Sequence, residues 1–385
     1  MQNSFDVIVI GVGSMGSSTC FQLAGRGYKV LGLEQFAIGH EYGSHAGQSR
    51  IIRKAYFEDA AYVPLLARAY ENWKNLQNET GSQVYFQTGL LYLGPPQHPF
   101  IRGVKRSASL YKIPLETLES SELTRRFPTF KIPMDFETLF EPEAGFVTPE
   151  KAIRLYADEA RKKGAKIQSD EKVIDWEKDG EGIRVTTDSR TYHCSRLVVS
   201  AGAWVGKIIP GLSKKIRVTR QFVAWMNPGK WDDFTLDHFP CWLLADNESP
   251  GCYYGFPILP EHQFGGPKGL KIAHHHPGQQ TDPDNVSRQM TEDDRNDLDY
   301  VLGKYFRGKF NSVLSYKICL YANSPDENFI VDKLPGFEDR VVVACGFSGH
   351  GFKFASVVGE ILADLATEGK TTLPIGFLNA ARVFS

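Results

Sequence analysis

Phe5-Asp6-Val7-Ile8-Val9-Ile10 places an almost unbroken β-branched run near the start of the chain, the pattern of a parallel strand buried on both faces. A Gly-rich turn over 11–16 and a helix over 17–26 are expected next. Tyr28-Lys29-Val30-Leu31-Gly32-Leu33 then reads as a second strand ending at Glu34, which completes a βαβ unit. Between 60 and 79, the spacing of Tyr62, Leu65, Leu66, Ala69, Trp73 and Leu76 predicts an amphipathic helix. Asp59 can cap its start, Pro64 sits in its first turn and Gly81 follows its end. A further helix is predicted over 150–164, strands over 166–174 and 181–193, and a buried strand over 197–204. Segments 84–93, 217–226, 241–257 and 269–275 are aromatic-rich, with turn residues between them, and read as strands of a different sheet. At 341–345 the pattern reverts to an apolar strand, followed by a Gly-rich turn and a helix over 352–368.

This order predicts an α/β plus antiparallel β architecture with two interleaved domains. A discontinuous Rossmann-type nucleotide-binding domain is expected over 1–82, 145–215 and 325–385, and an antiparallel-sheet substrate domain over 83–144 and 216–324. Hydrophobic residues at 42% and charged residues at 23% fit a chain with a full core. A formal net charge of −1 leaves no basic footprint, which argues against nucleic acid or an anionic membrane as partner. The apolar run Val7 to Ile10 is too short for a signal peptide or a span, so a cytoplasmic location is expected. Six cysteines without CxxC or CxxH spacing suggest neither structural zinc nor a disulfide scaffold.

Gly11-Val12-Gly13-Ser14-Met15-Gly16 follows a strand and opens a helix, as a dinucleotide fingerprint requires. Gly11 permits the tight turn, Gly13 lets backbone approach a pyrophosphate, and Gly16 allows helix and strand to pack closely. The helix start at Ser14 and Met15 offers N–H groups and a positive dipole end to the phosphates. Glu34 ends the second strand, where a carboxylate can accept from a ribose hydroxyl. The fingerprint alone does not separate FAD from NAD, but Glu34 would repel the 2′-phosphate of NADP.

Other positions carry candidate chemistry. From Val313 to Tyr321, alternation sets Leu314, Tyr316, Ile318 and Leu320 against Ser315, Lys317, Cys319 and Tyr321. Cys319 therefore falls on the less apolar face, with Lys317 near enough to lower its thiol pKa. In His274-His275-His276 a strand would split the histidines between two faces, which speaks against a metal; Lys271, Ala273 and His275 would share one face. Arg50 and Arg53 would share a face on a helix and not on a strand, and the sequence admits either.

Four segments carry a family resemblance. They are Gly43-Ser44-His45-Ala46-Gly47-Gln48-Ser49-Arg50-Ile51-Ile52-Arg53-Lys54-Ala55-Tyr56, Tyr253-Tyr254-Gly255-Phe256-Pro257, Cys319 to Asp332, and Gly346-Phe347-Ser348-Gly349-His350-Gly351-Phe352-Lys353-Phe354-Ala355. With the fingerprint, they make the chain similar to the monomeric sarcosine oxidase family, which includes N-methyltryptophan and pipecolate oxidases, over residues 5 to about 380. The resemblance implies a glutathione-reductase-like FAD domain and FAD attached covalently through Cys319. It also implies flavin contacts from Ser44, Arg50, Gly346, Gly349, Gly351 and Lys353. Lys271 is expected over the flavin, stabilising superoxide as O₂ reacts. Arg53 and Lys353 are expected to hold a substrate carboxylate, with Tyr254 and His275 lining the pocket and Tyr56 packing behind it. Ala46 departs from the family, which usually has a second histidine there.

A secondary amine has a pKa of about 10 in water, and only its neutral form gives up hydride equivalents. Arg50, Arg53, Lys271 and Lys353 together would lower that pKa without a dedicated base. The resemblance thus implies a monomeric oxidase that takes a small secondary amino acid and O₂ to an imine and H₂O₂. A dehydrogenase using another electron acceptor is the alternative within enzymes, and Lys271 speaks for oxygen. A flavin-binding sensor without turnover would leave the cations and Cys319 without a shared purpose.

Overall fold

The computed structural model describes residues 3–276 and 278–384. In the strand Ser4–Ile10, Val7 and Val9 enter one apolar cluster while Ile8 and Ile10 enter another, so both faces are buried as the β-branched run predicts. The strand lies between Val30–Leu33 and Thr191–Val199, parallel to both. Lys166–Gln168 extends one side in parallel and Val341–Cys345 the other. Ile330–Lys333 and the hairpin Val173–Asp179/Gly182–Thr187 add antiparallel pairs, giving an eight-stranded sheet. Helices Ser14–Gly25, Val63–Thr80, Pro149–Lys162 and Ala355–Glu368 cover its Val7/Val9 face through Cys20, Leu23, Trp73, Tyr156 and Ile361.

A nine-stranded sheet forms the second layer system. It runs from Phe310–Asn323 through Arg217–Pro228, Leu270–His275, Cys252–Phe256 and Cys241–Leu244 to Leu90–Gly94 and Glu137–Glu141. All its pairs are antiparallel except Cys241–Leu244 with Leu90–Gly94. The helix Glu292–Tyr305 covers one face over Ala224, Trp242, Tyr253 and Ile272. A small third sheet joins Arg50–Ile52 to Gly145–Val147 and Tyr85–Gln87. Among the described residues no helix is long and apolar enough to cross a membrane.

Several expectations need correction. The strand read over 197–204 is the end of Thr191–Val199. At Gly202, with φ +53, the chain leaves the sheet and forms a 3₁₀ turn over Gly202–Trp204. The stretch 166–174 breaks at Asp170, which takes φ +57, and 241–257 is interrupted by the turn around Gly251 at φ +78. The first helix starts at Ser14 rather than 17, so Ser14, Met15 and Gly16 form its first turn. The helices Pro99–Tyr111, Ser120–Arg126 and Glu292–Tyr305 had no counterpart in the sequence reading.

Gly16 and Gly13 differ in what surrounds them. A Cβ on Gly16 would stand 1.8 Å from the Gly11 carbonyl oxygen, whereas one on Gly13 would meet nothing within 4 Å. Gly16→Ala must push helix from strand and should cost at least about 1–3 kcal/mol. Gly13→Ala should leave the midpoint of the cofactor-free protein nearly unchanged, and urea unfolding of the two variants side by side, both without cofactor, checks the contrast.

Candidate active site

Residues of both large sheets line one cavity of about 620 Å³, within the range of ordinary ligand and cofactor sites. At one end stand Gly11, Gly13, Ser14 and Met15, with open space over Gly13 at the helix N-terminus where a phosphate would lie. Glu34 closes this end. Its oxygens accept from Val12 N at 2.9 Å and Phe36 N at 3.1 Å, and burial pushes its carboxyl up to about 7. His45 also lines the cavity, and burial lowers its pKa to about 4. Its Nε2 is buried without a hydrogen-bond partner, and such an orphaned atom calls for a ligand. Ser44 and the turn Gly346, Gly349, Gly351 and Lys353 supply further wall. The residues present fit a dinucleotide cofactor.

Cross-strand register builds the other end. Lys271 pairs with Trp225 on one side and Phe256 on the other, Ala273 with Val223 and Tyr254, His275 with Cys252, and Cys319 with Gln221. Period-2 alternation therefore gathers Trp225, Tyr254, Lys271, His275, Cys319 and Tyr321 on one sheet face. Tyr254, His275 and Tyr321 reach the cavity. His275 Nδ1 is 3.2 Å from the Tyr321 hydroxyl, and burial lowers the His275 pKa to about 4, so its ring is neutral near pH 7. His274, on the opposite face, is occupied by Asp297 and the Pro250 carbonyl.

Cys319 and Lys271 are not among the residues that line the cavity. Cys319 is buried, and its Sγ donates to the Ala46 carbonyl at 3.2 Å. The cation beside it is Arg50, whose Nη2 lies 3.7 Å from Sγ. The expectation that Lys317 tunes this thiol is corrected, because Lys317 is paired with Glu41. Around Cys319 both faces of the strand are buried, Ile318 and Leu320 on one and Cys319 and Tyr321 on the other. This long strand is buried only where it backs the site. Ala46 fills a small cluster with Val223, Trp225, Ala273 and Cys319.

Lys271 Nζ donates to the Gly47 carbonyl at 2.5 Å, the Ser49 carbonyl at 2.6 Å and Ser49 Oγ at 3.1 Å. Three acceptors match the three N–H groups of an ammonium. The rings of Phe256 and Trp225 flank it at 4.3 and 5.8 Å. Burial, reinforced by Arg50, drives its pKa well below the ordinary lysine value, and Glu150 opposes that fall.

Arg50 lies on a strand and not a helix, which resolves the open alternative. Both arginines still reach the cavity because the strand ends at Ile52 and the chain turns, with Lys54 N and Ala55 N donating to the buried Glu141. Arg53 is only 2% exposed and donates to the Ala55 carbonyl at 2.9 Å and to both oxygens of Glu58 at 2.6 and 2.7 Å. Glu58, which lines the cavity, escaped the sequence reading. Burial alone would raise its carboxyl, but Arg53 holds it at about 2, so it is ionised and engaged. The only signal for it was a charge at the end of the aromatic run Tyr56-Phe57. Lys353 Nζ donates to the His350 carbonyl at 2.7 Å, and burial followed by Arg53 lowers its pKa to about 7. Tyr56 is fully buried, its hydroxyl 2.5 Å from His350 Nδ1, with Arg53 and Lys353 against its ring.

Comparisons with known proteins bear on the family and the fold. The family described as FAD dependent oxidoreductase matches residues 6–365. Among curated relatives, monomeric sarcosine oxidase of Streptomyces avermitilis is 37% identical, covering 100% of this chain and 99% of its own. N-methyl-L-tryptophan oxidase of Yersinia pestis is 33% identical over 98% of this chain and 99% of its own. In fold, the chain matches NikD, an amino acid oxidase of nikkomycin biosynthesis, with TM-score 0.84 at 23% identity, each chain covered to 98%. It also matches L-proline dehydrogenase of P. horikoshii, with TM-score 0.81 at 24% identity, covering 99% of this chain and 98% of that one. With the fingerprint, the cavity and full-length similarity in agreement, the chain belongs to the FAD-dependent oxidoreductase family.

Proposed function

We propose that the protein oxidises the C–N bond of a small secondary amino acid to an imine, with O₂ reduced to H₂O₂ and the imine hydrolysed by water. One observation carries this reading: a single cavity joins a dinucleotide cradle to a pocket where Arg53, Lys353, Tyr254, His275 and Tyr321 converge. Sarcosine and N-methyl-L-tryptophan, named for the relatives, share a secondary amine α to a carboxylate. In this reading the protein is a cytoplasmic monomer that acts on a small-molecule amino acid and O₂, without nucleic acid or membrane as partner. Its FAD-binding part is formed by 1–82, 145–215 and 325–385, and its substrate part by 83–144 and 216–324. The division of strands between the two large sheets supports that split.

FAD supplies a two-electron acceptor for hydride from the substrate α-carbon. The protein's own groups do the rest. Arg53 offers a planar fork and Lys353 a compact charge to the substrate carboxylate. The entering carboxylate competes with Glu58 for the Arg53 fork, so Glu58 tempers the positive field that favours a neutral amine. Tyr254 and neutral His275 orient that amine. Cys319, with Arg50 Nη2 3.7 Å from its Sγ, would hold the flavin covalently. The Lys271 ammonium stabilises charge developing on O₂.

Three outcomes test this reading. Acid-precipitated, denatured protein should keep its yellow colour, and Cys319→Ser should release it; colour lost from the unaltered protein would refute the covalent anchor. In stopped-flow traces, Lys271→Met should slow reoxidation by O₂ about 10²–10³-fold while leaving reduction by substrate largely intact. A carboxylate inhibitor lacking an amine should bind best below pH of about 7, where Lys353 is charged, and weaken above it as the lysine loses its proton. Lys353→Met should flatten that profile and cost about 2–5 kcal/mol of affinity at low pH. A profile unchanged by the substitution, measured by flavin difference spectra, would remove Lys353 from carboxylate recognition.

A further inference from the structure

The turn Gly47–Ser49 connects a buried carboxylate to a buried ammonium. On one side, Gly47 N and Gln48 N donate to Glu150 Oε1 at 2.7 and 3.1 Å, and Gln48 N also reaches Oε2 at 3.2 Å. On the other side, the Gly47 and Ser49 carbonyls and Ser49 Oγ accept from Lys271 Nζ. Sending successive N–H groups one way and carbonyls the other requires unusual backbone. Gly47 takes φ +118 and Gln48 φ +71, the left-handed region that a glutamine adopts only under constraint. The Gln48 side chain adds restraint: Nε2 donates to the Gly265 carbonyl at 2.5 Å, and Oε1 accepts from Trp225 Nε1 at 3.2 Å. Trp225 in turn flanks Lys271.

Glu150 lies in the first turn of the helix Pro149–Lys162 and does not line the main cavity. Burial would raise its carboxyl, but the N–H groups of Gln48 and Gly47 outweigh burial and keep it below the usual carboxylate range. It therefore remains ionised near neutral pH. Charged or titratable groups that bear on Lys271 come from several elements. Arg50 disfavours its charge, while Glu150, Cys319 and Cys241 favour it.

We propose that Glu150 is a positioning residue for the reaction with oxygen, holding the turn 47–49 so that its carbonyls fix Lys271 Nζ in place. The inference rests on Lys271 being the oxygen-activating cation, and it makes the rate of reoxidation depend on a carboxylate that touches neither substrate nor flavin.

A double-mutant cycle tests it. Glu150→Gln keeps an oxygen for the turn but removes the charge. In otherwise unaltered protein it should slow reoxidation by O₂ about ten-fold and leave reduction by substrate within about two-fold; in Lys271→Met it should add nothing, because linked residues are non-additive. The pH above which reoxidation slows should also move lower in Glu150→Gln, since Lys271 then loses its proton sooner. Thermal unfolding gives a reading independent of turnover. Lys271→Met should restore part of the midpoint lost in Glu150→Gln, because it removes an ammonium left without its counter-charge. Additive effects on both rate and midpoint would overturn the proposal. If Glu150→Gln alone does not fold, the double variant should, and its failure to fold would count equally against the proposal. Unchanged reoxidation in Lys271→Met would instead overturn the oxygen role, and this inference with it. A slow Lys271→Met beside a normal Glu150→Gln would overturn the inference alone.

Discussion

Positive charge buried in the interior is the constraint on which the site depends. Arg53, Lys271 and Lys353 are 2%, 1% and 6% exposed. An uncompensated buried ion is unstable, so each needs oxygen atoms arranged around it. Arg53 takes both oxygens of Glu58 and the Ala55 carbonyl. Lys271 takes the oxygens of Gly47 and Ser49, and Lys353 the carbonyl of His350. Arg50 draws on the Ser44, Ala46 and Ser49 carbonyls. Most of these acceptors lie between residues 44 and 58, a segment with a single three-residue strand. Its backbone is irregular because its carbonyls are committed to cations instead of to a ladder.

That segment is itself held by carboxylates on its far side. Glu150 takes the N–H groups of Gly47 and Gln48, and Glu141 takes those of Lys54 and Ala55. These glutamates flank the strand Gly145–Val147, which pairs with Arg50–Ile52. Short sheet, glutamates and cation-binding turns thus form one unit, alternating in charge from carboxylate through peptide to cation. Breaking any layer leaves a buried charge unpaired, a loss of about 3–5 kcal/mol for a partnered ion.

What could be read in the sequence follows from the range of the interactions. The strand Ser4–Ile10 and the alternation of Lys271, Ala273 and His275 are local patterns with their expected structure, and the Gly-rich turn that opens the first helix is present though it ends at Gly13. The strand breaks at Asp170 and Gly251, and the strand end before Gly202, depend on positive φ, which composition signals only weakly. The helix Glu292–Tyr305 did carry a legible start, a capping box between Thr291 and Asp294, but its mostly polar surface masked the apolar stripe. Glu58 and Glu150 could not be found by pattern, since their roles arise from partners brought near by folding. The partner of Cys319 was misjudged for the same reason. Lys317 is close in sequence, whereas Arg50, 269 residues away, is close in space.

The protonation states of the cavity's side chains follow from the same desolvation. Burial lowers His45 and His275 to about 4 and His350 to about 3, so all three are neutral at physiological pH. Glu58 is held at about 2 by Arg53 and stays charged. Along the cavity these groups act as fixed dipoles and a fixed anion. Lys353, at about 7, can change its charge near neutrality. Its ammonium has one protein acceptor here, where Lys271 has three, so a substrate carboxylate has more to offer it. Binding that carboxylate would raise the Lys353 pKa and draw in a proton, linking recognition of the acid to pH through a lysine rather than through any of the histidines around it.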